Sequence, residues 1–156
     1  MTDDFAELIA RIEHQETRLT FRRFDNADAW ALGTLLVDLA TRRALPVAID
    51  IRRGTQQLFH AGLPGSTADN DAWIRRKVRV VERYGASSYL VGRRLAAKGQ
   101  QLDASMGVDP ALFAAHGGAF PVRVPDVGIV GVITVSGLPQ AEDHALVVEA
   151  IETYLA

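Results

Sequence analysis

The closing stretch of the chain, VGIVGVITVSGLPQAEDHALVVEAIETYLA from Val127 to Ala156, restricts the fold more than any other. Val127 to Val135 is apolar at nearly every position and rich in β-branched residues, which predicts a strand covered on both faces. Gly128 and Gly131 interrupt it, as glycine does where another backbone comes close. Ser136-Gly137 turns the chain and Pro139 suits the first turn of a helix. Glu142 and Asp143 then fall where the helix dipole favours negative charge. Ala145, Val148, Ile151 and Leu155 recur at helical spacing, with Val147 and Tyr154 widening the stripe. A strand, a tight turn and a helix packed back on the sheet therefore end the chain.

Upstream, Phe120–Val124 reads as a second strand, with Pro121 placing it at an edge or a strand start, so the two form a hairpin. Val47, Ile49 and Ile51 alternate with Ala48, Asp50 and Arg52, Arg53-Gly54-Thr55 turns, and Gln56–Ala61 returns as another hairpin. Arg18–Phe24 is a further, charged strand. Helices are predicted from a Thr2 or Asp3 cap to about His14, over Ala27–Arg43 with Asn26 as cap, over Asp69–Tyr84 with Asp69 or Asn70 as cap and Gly85 as terminator, and over Ser88–Lys98. Asp109-Pro110 opens a short helix ending near His116. Hairpins demand antiparallel pairing, so the expected class is α+β, with a mostly antiparallel sheet of about five strands flanked by helices. At 156 residues the chain fits a single domain, 1–156.

Charge and cysteine content narrow the function classes. A net charge of -2 offers no whole-protein field for nucleic acid or an anionic membrane. The absence of cysteine removes disulfides, thiolate metal sites and cysteine nucleophiles, and is compatible with a reducing compartment. No apolar run is long enough to span a membrane and the N-terminus lacks the pattern of a secretory signal, so a cytoplasmic protein is expected. No metal site is predicted. Gly-x-Ser-x-Gly, phosphate-loop and His-Glu-x-x-His signatures are absent, and Ser136 and the carboxylates of the last helix read as turn and dipole residues.

The helix over Asp69–Tyr84 carries the most informative pattern. Trp73, Ile74, Val78, Val80, Val81 and Tyr84 fall in one arc, and Lys77 lands in the middle of it. A lysine there must snorkel, pair with a carboxylate or face a ligand. Arg75, Arg76, Arg79 and Arg83 lie opposite, as a solvated face or an anion-binding one. His116-Gly117-Gly118 is the second candidate: consecutive glycines can turn amides toward an anion, and the histidine can ligate or shuttle protons. The plainer reading is a helix terminator and a turn. His60, before a glycine-rich loop, approaches His116 if their strands are neighbours. His14 and His144 read as ordinary surface or boundary residues.

Three of these segments resemble a known family. VGIVGVITVSGLPQAEDHALVVEAI is similar to the closing signature of the haem-degrading-domain superfamily, which includes GlcG-like proteins. LFHAGLPGSTADNDAWIRRKVRVVERYGASS and HGGAFPVRV resemble its small intracellular branch, in matching order over about half the chain. The resemblance implies a compact α+β domain that assembles into symmetric oligomers, and the superfamily name implies haem as a cofactor or substrate. His60, Asn70, Arg75, Arg76, Lys77, His116, Gly117, Gly118 and Ser136 fall within the matching segments; all but Ser136 are taken as candidate ligand-binding residues.

Three functions compete. The leading one is an oligomeric binding protein for a small anionic organic ligand, drawn from Lys77, the arginines and the HGG loop. The second is a haem-binding or haem-degrading protein. The third is an interaction module without a ligand, drawn from the apolar helix over Ala27–Arg43, which also predicts a homo-oligomer.

Overall fold

The computed structural model describes residues 2–156. In chain order the elements are α1 (Thr2–Arg18), α2 (Asn26–Arg42), β1 (Ala48–Arg53), β2 (Gln56–Gly62), α3 (Ala68–Tyr84), α4 (Ser88–Ala97), β3 (Ala119–Val124), β4 (Gly128–Ser136) and α5 (Gln140–Leu155). The strands form one antiparallel sheet in the order β2-β1-β4-β3. Both expected hairpins are present, and Pro121 sits in the edge strand β3, where a missing N–H is tolerated.

Alternation along the strands divides the molecule into layers. Ile49, Ile51, Phe59, Phe120, Val122, Ile133 and Val135 point to one face, where α2 and α5 cover them. Ala48, Ala119 and Val132 point to the other, against Ile74, Val78 and Val81 of α3. The α3 face is thinner and more polar: Asp50, Thr134 and Ser136 share it and are buried. The helices α1 and α4 pack against each other, with Ile12, Val80, Leu90 and Leu95 in a second apolar cluster. A sheet face carrying buried polar groups is where a site can form.

Four expectations need correction. The sheet has four strands and not about five, because Arg18–Phe24 is not a strand. The first helix runs on to Arg18, and the residues after it make one rung only, from Phe21 N to Arg123 O on β3. Leu19, Phe21 and Phe24 are buried, so the segment covers the sheet edge without extending the ladder. Asp109-Pro110 opens a single turn and no helix. The Pro110 and Leu112 carbonyls are taken by Arg76 and Arg79 of α3, at 2.9 and 3.0 Å, so they point sideways and not along a helix axis. Those two arginines therefore hold a loop; they are not merely a solvated face. In α5, Ala145 is exposed and Leu155 is 39% exposed, whereas Asp143, His144 and Leu146 are buried. The helix is enclosed from more sides than one stripe describes. At the start of β4, Val127 to Ile129 are exposed, and only Gly131 onward is covered on both faces.

Helix boundaries otherwise follow the expected caps with small shifts. Asp25, not Asn26, caps α2: its carboxylate accepts from Asp28 N at 2.9 Å while the Asp28 carboxylate accepts from Asp25 N at 2.9 Å. Thr67 precedes α3, and Asn70 Oδ1 accepts from Thr67 N at 2.8 Å. Gly85 ends α3 with φ 68°, a left-handed conformation suited to glycine. The expected cap at Thr2 or Asp3 lies outside the described side chains.

Candidate functional site

Lys77 lies on the sheet side of α3 because the apolar arc of that helix faces the sheet. It is only 3% exposed. Its ammonium donates to Asp143 Oδ2 at 3.1 Å and to the Val135 carbonyl at 3.2 Å. Asp143 in turn accepts from Leu138 N at 3.0 Å and from Gly137 N at 3.4 Å. One carboxylate thus joins α3, the end of β4 and the turn into α5. Burial pushes Lys77 below the ordinary lysine range, with Asp143 pulling the other way. Burial likewise pushes Asp143 up, opposed by Lys77 and the two amides. Of the three roles open to Lys77 in the sequence, pairing with a carboxylate is the one realised.

The glycines after His116 serve close packing. A Cβ on Gly117 would lie 2.2 Å from the Gln140 carbonyl oxygen, and one on Gly118 2.3 Å from the Val135 oxygen and 2.7 Å from Lys77 Nζ. Gly118 also has φ 137°. The Gly117 amide donates to Gln140 Oε1 at 3.0 Å, so it is committed to protein. The pair lets β3 begin directly over the Lys77–Asp143 bridge and leaves His116 on the surface above it.

His116 stands where two clefts meet. One, of about 290 Å³, is lined by Asn70, Trp73, Lys77, Ser136, Gln140 and Asp143 among others. The second, of about 580 Å³, lies between α4 and the loop before β3, with Arg76, Arg93, Leu95, Leu102 and Phe113 on its walls. The imidazole meets Trp73 edge-on, centroids 5.4 Å apart, and the Arg76 guanidinium lies over the same indole at 4.5 Å. Partial burial, then Lys77, Arg76 and Arg93 in that order, hold His116 below the ordinary histidine range. The ring is therefore neutral at pH 7, a state fit to ligate or to accept a proton.

His60 and Arg75 do not join this group. They line a third cleft of about 210 Å³ with Asp50, Arg52, Gln57 and Asp71, and His60 Nε2 lies 2.7 Å from Asp71 Oδ1. His60 is on β2, the far edge of the sheet from the β3 strand that His116 precedes, so their strands are not neighbours. Of the candidate residues, then, Asn70, Lys77 and His116 share one cleft, Arg76 and His116 share another, and Gly117 and Gly118 shape the ground between.

Sequence reasoning missed Asp143, Arg93 and His144. Asp143 sits in a helical first turn, where a dipole role is the ordinary explanation. Arg93 follows Gly92, and a Cβ on Gly92 would lie 2.0 Å from the Ala115 carbonyl oxygen. That contact brings α4 against the His116 loop, and only a helical glycine hinted at it. His144 is buried, its Nε2 2.7 Å from Gln15 Oε1, and burial pushes its pKa down to about 4. Among the described residues no cluster of carboxylates and histidines is arranged to hold a metal ion. No described helix is long and apolar enough to cross a membrane.

Known proteins share this arrangement of elements. A UPF0303 protein of Streptomyces coelicolor is 65% identical over 96% of this chain and 95% of its own. The crystal structure of Ybr137w protein superposes with a TM-score of 0.86 at 31% identity, covering 94% of this chain and 87% of that one. A structure described as a PduOC:Heme complex shares the fold, with a TM-score of 0.69 at 15% identity over 83% of this chain and 93% of that one. The family model for haem degrading protein HbpS-like matches residues 24–152. Most of the chain, from just before α2 into the last turn of α5, is thus accounted for, and it belongs to the HbpS-like family.

Proposed function

We propose that this is a binding protein for a small organic anion, received on the concave surface around His116. The observation that carries the reading is a charge imbalance. Arg76 and Arg93 gather there beside the neutral His116 with no carboxylate partner among the described residues, whereas Lys77 beneath them is paired with Asp143. Partly buried guanidinium groups without a counter-charge favour an anion, which an anionic ligand supplies. Binding is the activity this charge arrangement supports. A thermal-shift panel of organic acids checks it: at least one acid, and no neutral analogue, raises the melting temperature, and His116→Ala reduces the response. A panel in which no acid stabilises the protein removes the proposal.

Haem is the second reading, favoured by the family and by the donor set. A neutral imidazole is an iron ligand, guanidinium groups pair with propionates, and Leu95, Leu102 and Phe113 offer an apolar wall. Titration with haem should then give a Soret shift that saturates at a defined stoichiometry. Loss in His116→Ala but not in His60→Ala supports it, since His60 is bound to Asp71 in another cleft. An unchanged Soret band rules it out.

A further inference from the structure

The larger cleft has a division of labour along its length. Arg76 comes from α3 and Arg93 from α4, and both reach it. Each guanidinium lies near aromatic rings: Arg76 over Trp73 at 4.5 Å, Arg93 at 5.7 Å from Tyr89 and 5.9 Å from Phe5. In both, Nε is out of solvent and has no hydrogen-bond partner. Arg76 donates once, to the Pro110 carbonyl. No carboxylate lines the cleft. The remaining wall is chiefly apolar. Two guanidinium groups without a carboxylate partner, beside a hydrophobic trough, match one kind of molecule.

We infer that this cleft clamps an amphipathic monocarboxylate, its carboxylate between Arg76 and Arg93 and its apolar body along Leu95, Leu102 and Phe113. The inference rests on the organic-anion reading and narrows it to a class. An inorganic anion gains nothing from the trough, and a neutral lipid leaves the two guanidinium charges without a counter-charge. Anion binding also places negative charge near His116, whose protonation Arg76 and Arg93 now oppose together with Lys77. Asp143 is engaged with Lys77, so it does not offset the arginines.

Octanoate, 1-octanol and acetate are the probes, with calorimetry for affinity and the His116 ring protons followed by NMR against pH. Octanoate is expected to bind and to move the His116 titration upward, while octanol and acetate bind at least about tenfold more weakly. Arg76→Gln and Arg93→Gln each lower octanoate affinity at least about tenfold. Arg93→Lys, which keeps the charge and loses the fork, does nearly the same and guards against a folding defect in the other two. Equal binding of octanoate and octanol, or octanoate binding indifferent to all three variants, overturns the clamp. If citrate or haem binds through His116 and octanoate does not, the clamp falls and the broader anion reading stands. If no acid binds, both fall.

Discussion

At the level of single residues, the Lys77–Asp143 bridge is the group most exposed to substitution. Both side chains are buried, so removing one leaves the other charged and without its partner, which typically costs about 3–5 kcal/mol. Lys77→Met should lower the free energy of unfolding by that order in urea titration. Lys77→Met combined with Asp143→Leu should cost less than the sum of the single changes, although the Gly137 and Leu138 amides then lose their acceptor. His144 makes a separate prediction. Its folded pKa, about 4, lies below the ordinary 6.5 because burial disfavours the charged ring. The unfolded chain therefore binds the proton first as pH falls. Stability is intact above 6.5 and declines by up to about 3 kcal/mol as pH drops toward 4. His144→Gln should flatten that slope in denaturation curves at pH 7 and pH 4.5; an unaltered slope would assign the acid sensitivity elsewhere.

At the level of elements, α4 and the loop that carries His116 meet at Gly92. Alanine there would press its methyl group into the Ala115 carbonyl, where nothing but backbone can yield. Gly92→Ala should cost about 1–3 kcal/mol and displace His116, weakening any ligand held in the larger cleft. Calorimetry and thermal melts on the same variant would show both effects. The same elements explain what could be read in advance. Alternation at Val47–Ile51 and the apolar run ending at Val135 announced the hairpins because local periodicity reports burial directly. The arc of α3 located Lys77 for the same reason. What escaped depends on contacts between distant segments. Arg18–Phe24 has a strand's pattern but only one rung to pair with. Asp109-Pro110 has a helix's opening but surrenders its carbonyls to arginines on another element. Asp143 looks like a dipole residue until a lysine 66 positions away is placed against it.

At the level of the whole molecule, the question is what covers the remaining apolar surface. The inner side of α2 is satisfied within the chain, since Ala29, Leu32, Leu36 and Ala40 are fully buried. Trp30 is not: it is 64% exposed beside Phe59, and Val127 is 70% exposed on another part of the surface. The strand β2, which carries Phe59, ends the sheet on that side. These features support a homo-oligomer, as two-fold pairing is the commonest way to close such a surface. Light scattering should return a multiple of 17.0 kDa, and Trp30→Glu should shift the mass downward. A mass of one chain across a concentration series would show that a monomer tolerates this exposure.

The chain contains only two lysines, Lys77 and Lys98. Lys98 follows α4 and is exposed, whereas Lys77 is sealed beneath Gly118 with its amine engaged twice. Acylating reagents used in brief pulses on the folded protein should therefore mark Lys98 and spare Lys77. Slow modification of Lys77 would then time the parting of α3 from β4 and α5. The bridge doubles as a built-in clock for breathing of the core, readable by mass spectrometry with no engineered label, and any molecule that tightens the surface around His116 should make it run slower.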